Sequence, residues 1–158
     1  MKKHTVSVLV ENHFGVLARI ASLFAGRAYN INSLTVGETE EPSVSRMTIV
    51  VSGDDAVIEQ VNKQLNKLID VIKVNDITDT EMTEVELILL KVNASPGAAR
   101  TEILQLAESF GANVISVKKD SVSLEITGDE SRVNDVMEVM RPFGIKETVR
   151  SGKIAMTK

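Results

Sequence analysis

The sequence runs twice through the same order of strands and helices, and this repeat sets the fold. In each half an apolar strand leads through a glycine-containing turn into an amphipathic helix, and then two strands, a second helix and a fourth strand follow. The second helix is preceded by similar sequences, Ser52-Gly53-Asp54-Asp55 and Thr127-Gly128-Asp129-Glu130. Aspartate before an apolar helical stripe is typical of an N-cap. The order predicts an α+β protein of two ferredoxin-like βαββαβ domains, each with a four-stranded antiparallel sheet and two helices on one face.

A short polar stretch separates the two halves. We predict a first domain over residues 1–78, a linker over residues 79–83 and a second domain over residues 84–158. Each domain is small, so we expect docking or oligomerisation to add stability.

Local patterns give detailed expectations for the first helix of each half. In the first half, one helical face at i, i+3, i+4 and i+7 is predicted to be buried and consists of Leu17, Ile20, Ala21 and Phe24. In the second half, Ser95 is the predicted N-cap and Pro96 the predicted first helical residue.

Composition excludes several kinds of chemistry. The chain has no cysteine, so disulfides, thiolate metal sites and cysteine nucleophiles are ruled out. Its two histidines, His4 and His13, are too few for a metal site or a catalytic triad, and we expect His13 to be solvated. No glycine-rich phosphate loop occurs. We therefore predict no catalytic and no metal-binding residue.

Net charge and hydropathy limit the classes of partner that the chain is expected to bind. The net charge of -4 argues against a nucleic-acid surface, because phosphate binding needs clustered lysine and arginine. No apolar run approaches the ~20 residues of a membrane span, and the first residues lead directly into a strand. The sequence thus predicts a cytoplasmic protein with no nucleic-acid and no membrane partner.

The turn between the first strand and the first helix is the best candidate for a binding site. Gly15 lies at this junction, where the absent Cβ lets a ligand approach the backbone. The free N–H groups of Val16 and Leu17, together with the helix dipole, would favour a carboxylate. The alternative is a tight turn in which Gly15 is needed only for a positive φ.

Five segments together resemble a known family. These segments are Val8–Asn12, Gly15–Ile20, Gly26–Val36, Ser45–Ile49 and Thr148–Gly152. They are similar to the small, regulatory subunit of acetolactate synthase, also called acetohydroxyacid synthase. The first half resembles an ACT domain, the small-molecule sensor of many amino-acid biosynthetic enzymes.

The resemblance implies a non-catalytic subunit. Such a subunit activates a large catalytic subunit and transmits feedback inhibition by valine or a related branched-chain amino acid. Thiamine diphosphate, Mg and FAD are then expected only in the catalytic partner, and no cofactor in this chain.

The resemblance also implies a homodimer through the ACT domains, with the effector between the subunits. The expected effector-binding residues are Asn12, Gly15, Val16 and Leu17 of one chain, facing Asn30 and Ile31 of the other. Asparagine carbonyl oxygens would accept from the ammonium of the ligand, and aliphatic groups would surround its side chain.

Two alternative functions stay open on the sequence. One is a free-standing ACT sensor or a regulatory subunit of another amino-acid enzyme. The other is a transcriptional regulator, but neither half has spare residues for a helix-turn-helix.

Aligning Gly97 with Gly15 places Ala94 at the position of Asn12. The second half is therefore predicted to be a degenerate ACT-like domain that helps to hold and activate the partner.

Overall fold

The computed structural model describes all 158 residues, Met1–Lys158. The first half contains β1 (Lys3–Glu11), α1 (Val16–Gly26), β2 (Asn30–Glu38), β3 (Val44–Ser52), α2 (Asp55–Asn66) and β4 (Val71–Asp76). The second half contains β5 (Met82–Asn93), α3 (Ala98–Ser109), β6 (Asn113–Val117), β7 (Ser121–Gly128), α4 (Glu130–Met140), a 3-10 turn (Arg141–Phe143), β8 (Ile145–Arg150) and β9 (Ile154–Thr157).

Both halves form antiparallel sheets with equivalent strand orders. The order is β2-β3-β1-β4 in the first sheet and β6-β7-β5-β8 in the second. Each sheet carries two helices, and the apolar residues of strands and helices join in one core per half. The predicted α+β fold of two ferredoxin-like βαββαβ repeats is confirmed.

The chain divides into two compact units. The first comprises Met1–Thr83 and Lys153–Lys158, and the second comprises Glu84–Gly152. The predicted linker of residues 79–83 is partly strand, because β5 already begins at Met82.

The last six residues belong to the first unit, whereas the sequence analysis placed them in the second domain. Lys153 N donates to Ser33 Oγ at 2.9 Å, and Thr35 Oγ1 donates to Lys153 O at 3.1 Å. Ala155 is buried, and Lys158 N donates to Glu81 O at 3.0 Å. These bonds attach residues 153–158 to the first unit. The strand that they contain, β9, was not predicted.

Alternation along the strands builds the core of the first unit. Val6, Val8 and Val10 on β1 are buried with Met47, Ile49 and Val51 on β3. Ile58, Val61 and Leu65 of α2 complete this layer. In the second unit, the same role falls to Ile88, Leu90 and Val92 of β5, to Val122, Leu124 and Ile126 of β7, and to Val133, Val136 and Met140 of α4.

The buried face of α1 is rotated from the predicted one. Ile20 and Phe24 are buried as expected, but Val16 and Leu23 join them in place of Leu17 and Ala21. Leu17 is 46% exposed. The apolar arc of this helix is wider than the face that meets the sheet, so spacing alone does not select the buried residues.

The predicted start of α3 is wrong. The helix begins at Ala98, and its N-cap residue is Gly97, with no side-chain cap bond from Ser95. Gly97 has φ 124° and ψ -154°, which only glycine adopts readily, so the helix cannot extend back through it. None of the helices is both long and apolar enough to span a membrane.

The predicted aspartate N-caps are present in both units. Asp54 Oδ1 accepts from Val57 N, and Asp129 Oδ1 accepts from Arg132 N, each at 2.9 Å.

Replacing Asp54 with alanine tests the first cap. We expect Asp54→Ala to lower the free energy of unfolding by about 1 kcal/mol, because the N–H of Val57 loses its acceptor. Asp54→Asn keeps an acceptor and is the matched control. Urea unfolding followed by circular dichroism measures both, and equal losses for the two variants would contradict the assignment.

Candidate functional site at the turn before α1

The turn of residues 12–15 leaves the N-terminus of α1 open. Gly15 has φ 86°, in the left-handed region, and it is the N-cap residue without a side-chain cap bond. The first turn of the helix has no acidic residue. Val16 N reaches only His13 O, at 3.5 Å, and Leu17 N has no partner. This helix end therefore favours an external anion such as a carboxylate.

Asn12 is held in one orientation at the rim of this turn. Its backbone N–H donates to Ser43 O at 2.8 Å. Its side-chain Nδ2 donates to Pro42 O at 2.8 Å and to Glu38 Oε1 at 3.2 Å. Both Nδ2 hydrogens are then used, while Oδ1 receives no donor. Asn12 thus presents a fixed carbonyl oxygen, which suits an ammonium group.

A buried carboxylate, that of Asp70, stabilises the turn by binding residues on both sides of it. Asp70 lies just before β4 and has only 9% of its side chain exposed. His13 Nε2 lies 2.9 Å from Asp70 Oδ1, and Arg19 of α1 pairs with Asp70 Oδ2. Glu11 N donates to Asp70 O at 2.8 Å. The cluster ties the end of β1, the turn and the first turns of α1 to one residue.

This cluster adds a partner to His13, which the sequence analysis expected to be solvated. The side chain is half exposed, and it is also paired with Asp70. Asp70 itself was missed, because 51 residues separate it from Arg19. One sequence feature could have pointed to Asp70: it is the single acidic residue in the otherwise apolar run Leu68–Val71.

The other two predicted residues lie at the opposite end of the sheet. Asn30 pairs with Ser52, which pairs with Lys3 at the start of β1. The turn follows the end of β1, beside Glu38 at the end of β2. From Asn30 to Glu38 the strand spans roughly 26 Å at ~3.3 Å per residue. One chain therefore brings Asn12, Gly15, Val16 and Leu17 together but keeps Asn30 and Ile31 away from them.

The second unit repeats the backbone of this turn. Asn93 N donates to Gly144 O at 2.8 Å, as Glu11 N does to Asp70 O. Ala94 N donates to Asp120 O at 2.9 Å, as Asn12 N does to Ser43 O. Gly97 is then equivalent to Gly15, so the alignment made from the sequence agrees with the hydrogen bonds.

The side chains of the second turn are different. Ala94 replaces the amide of Asn12, and Gly144 replaces the carboxylate of Asp70. The Arg100 guanidinium donates to Ala94 O at 2.7 Å and to Lys119 O at 2.8 Å. Arg100 thus binds the Ala94 carbonyl of this turn and a carbonyl of the connection between β6 and β7.

The charges around this second turn are also paired. Lys146 Nζ lies 2.9 Å from Asp120 Oδ2, and this hydrogen bond lowers the pKa of the Asp120 carboxyl. No group of three or more His, Cys, Asp or Glu side chains is arranged to hold a metal ion anywhere in the chain.

Two family models match the chain, one on each half. Residues 6–73 match the ACT domain of acetohydroxyacid synthase small-subunit type, and residues 85–158 match the small subunit of acetolactate synthase. The resemblance given by the sequence motifs is confirmed.

Proteins similar to nearly the whole of this chain are acetolactate synthase small subunits or probable ones. An acetolactate synthase small subunit from Aquifex aeolicus is 52% identical, covering 100% of this chain and 82% of that protein. A probable acetolactate synthase small subunit from Archaeoglobus fulgidus is 54% identical, covering 99% and 97%. The crystal structure of the acetolactate synthase small subunit from Thermotoga maritima is 39% identical, with a TM-score of 0.88, covering 100% and 98%.

Removing the carboxylate of Asp70 tests the brace. We expect Asp70→Ala to lower the free energy of unfolding by about 1.5–3 kcal/mol, the range for hydrogen bonds to charged groups. Amide exchange of residues 12–17 should also accelerate, because His13 and Arg19 lose their common partner. Urea unfolding and hydrogen exchange measure the two effects.

Asp79→Ala is the matched control, since it removes an acid from an exposed pair with Lys2. The decrease in the free energy of unfolding should be much smaller for this variant. Equal, small changes for both variants would contradict the bracing role of Asp70.

Proposed function

The chain belongs to the family of acetolactate synthase small subunits, and we propose that it activates a large catalytic subunit and transmits feedback inhibition by valine. The observation that carries this proposal is the uncapped N-terminus of α1 beside the fixed oxygen of Asn12. That pair of groups matches the carboxylate and ammonium of an amino acid.

The site is completed by a second copy of the chain. β2 is an edge strand with β3 as its neighbour, so its other side is available for pairing. If two β2 strands pair antiparallel about Leu34, Asn30 of one protomer lies opposite the partner's Glu38. Since Glu38 contacts Asn12 within a chain, this pairing brings Asn30 and Ile31 to the partner's turn. The site then lies on the dimer interface.

Each group of valine has a partner in this arrangement. The carboxylate faces the N–H groups of Val16 and Leu17, and the ammonium faces the side-chain oxygens of Asn12 and the partner's Asn30. Leu17 is half exposed in the single chain, and together with Ile31 it supplies apolar surface for the valine side chain. Because the ligand contacts both subunits, its binding shifts the equilibrium of the interface.

In this proposal the catalytic partner carries out the reaction. Thiamine diphosphate, Mg and FAD are assigned to the large subunit, and this chain contributes no reacting group. The second unit, where Arg100 binds the Ala94 carbonyl of the turn, is proposed to help hold and activate the partner. Residues 1–78 carry the effector site.

Reconstitution tests the proposed function. The chain is titrated into the large catalytic subunit of the same organism, and acetolactate formation is followed with and without valine. We expect the rate to rise to a plateau and valine to reduce it. A free-standing sensor would bind valine in calorimetry and leave the rate unchanged.

Gly15→Asp tests the site within that assay. The variant places a carboxylate where the carboxylate of the ligand binds, and it adds a Cβ where φ is 86°. We expect activation to remain and valine inhibition to vanish. Gly15→Asn has the same backbone strain without the charge, so it should stay inhibitable at raised valine concentration. Inhibition of Gly15→Asp at the wild-type valine concentration would contradict the site.

A further inference from the structure

A groove runs between α1 and α2 on the helical side of the first unit. Its volume is about 510 Å³, and its floor includes Leu23 and Leu68. Gln64 and three cationic residues, Arg19, Arg27 and Lys67, line it as well. We call this feature the α1–α2 groove.

The α1–α2 groove is positive in a protein of net charge -4. No carboxylate belongs to its lining. Arg27 is bound only to neutral oxygens, with Nη2 donating to Gln64 Oε1 at 2.8 Å. The Lys67 ammonium has no partner, while Arg19 is paired with Asp70. Two of the three cations are therefore available to an anionic partner.

Two large apolar side chains are exposed to solvent next to the ends of the helices that form the groove, Phe14 before α1 and Ile69 after α2. Phe14 is 100% exposed and Ile69 is 94% exposed. Phe14 follows His13 and Ile69 precedes Asp70, so the 2.9 Å contact between His13 and Asp70 keeps them on the same end of the unit. Neighbouring exposed apolar side chains beside a charged rim are typical of a protein contact surface.

We propose that the α1–α2 groove together with Phe14 and Ile69 binds an acidic segment of the large catalytic subunit that also carries apolar side chains. This inference rests on the proposed function. Carboxylates of the segment pair with Arg27 and Lys67, and its apolar side chains cover Phe14 and Ile69.

A second copy of this chain does not fit the same surface. A two-fold contact is made by one patch with itself, so the patch needs both charges. The lining of the groove contains cations and no carboxylate, and Asp70, the partner of Arg19, is already bound by His13 as well. The proposed dimer uses β2, which leaves the helical groove open for a different protein.

The position of the surface explains how valine acts on catalysis. The N-terminus of α1 takes the effector, and the side of the same helix lines the groove. Arg19, which is bound to Asp70 and lines the groove, lies on the helix that the two ligands share. A small movement of α1 on valine binding thus changes the surface that holds the partner.

Charge reversal in the groove is the first test. The double variant Arg27→Glu/Lys67→Glu is titrated into the catalytic subunit, and the half-saturating concentration for activation is measured at several salt concentrations. We expect an increase of about tenfold or more, with weaker salt dependence than the wild type. Lys73→Glu reverses one charge on β4 outside the groove, half the charge change of the double variant, and it should match the wild type.

Truncating the apolar pair is the second test. Phe14→Ser/Ile69→Ser should also raise the half-saturating concentration, and its salt dependence should stay that of the wild type. Val117→Ser, which removes a half-exposed apolar side chain from the second unit, is the control. Far-ultraviolet circular dichroism and urea unfolding of each isolated variant show whether the fold is intact.

The outcomes separate this inference from the function on which it rests. If only the groove variant and the apolar-pair variant lose affinity for the catalytic subunit, the proposed binding surface is supported. Half-saturation equal to the wild type in both, or an equal shift in Lys73→Glu, overturns it. A wild-type chain that never changes the catalytic rate overturns the proposed function and the inference with it.

Discussion

The pairing of β1 and β2 on opposite sides of β3 is the constraint on which the site depends. Antiparallel register through β3 puts the start of β2 beside the start of β1, and the end of β2 beside the turn before α1. Asn30 is therefore fixed far from Asn12, and no side-chain movement joins them within one chain. A site that needs both residues needs two chains, so ligand binding and subunit association become the same event.

Asp70 distinguishes the turn of the first unit from that of the second, although the two units share a fold. Its carboxylate holds His13 and Arg19, so the turn keeps its backbone N–H groups free for a ligand. The equivalent residue of the second unit is Gly144, and there Arg100 binds the Ala94 carbonyl of the turn directly. The first turn is braced from outside its own segment and stays open, while the second is filled by a side chain of its own helix. This difference favours an effector role for the first unit alone.

Local signals predicted the parts of the fold that local chemistry decides. The succession of strands and helices along the chain, the aspartate caps at Asp54 and Asp129, and the glycine turn at Gly15 follow from patterns a few residues long. Contacts between distant residues were missed. Residues 153–158 join the first unit through Ser33 and Thr35, which lie about 120 positions earlier in the chain. The brace at Asp70 and the exposure of Leu17 likewise depend on which surfaces meet, and helical spacing does not specify that.

Mixed dimers test most directly whether the effector site is shared between chains. Gly15→Asp damages one half of the proposed site and Asn30→Ala the other, so a homodimer of either variant has two damaged sites. Random mixing in equal amounts gives mixed dimers in which one of the two sites has only wild-type residues. Calorimetry of the mixture should then recover tight valine binding at about a quarter of the wild-type number of sites. A mixture that binds valine no better than its two components would contradict a site built from two chains.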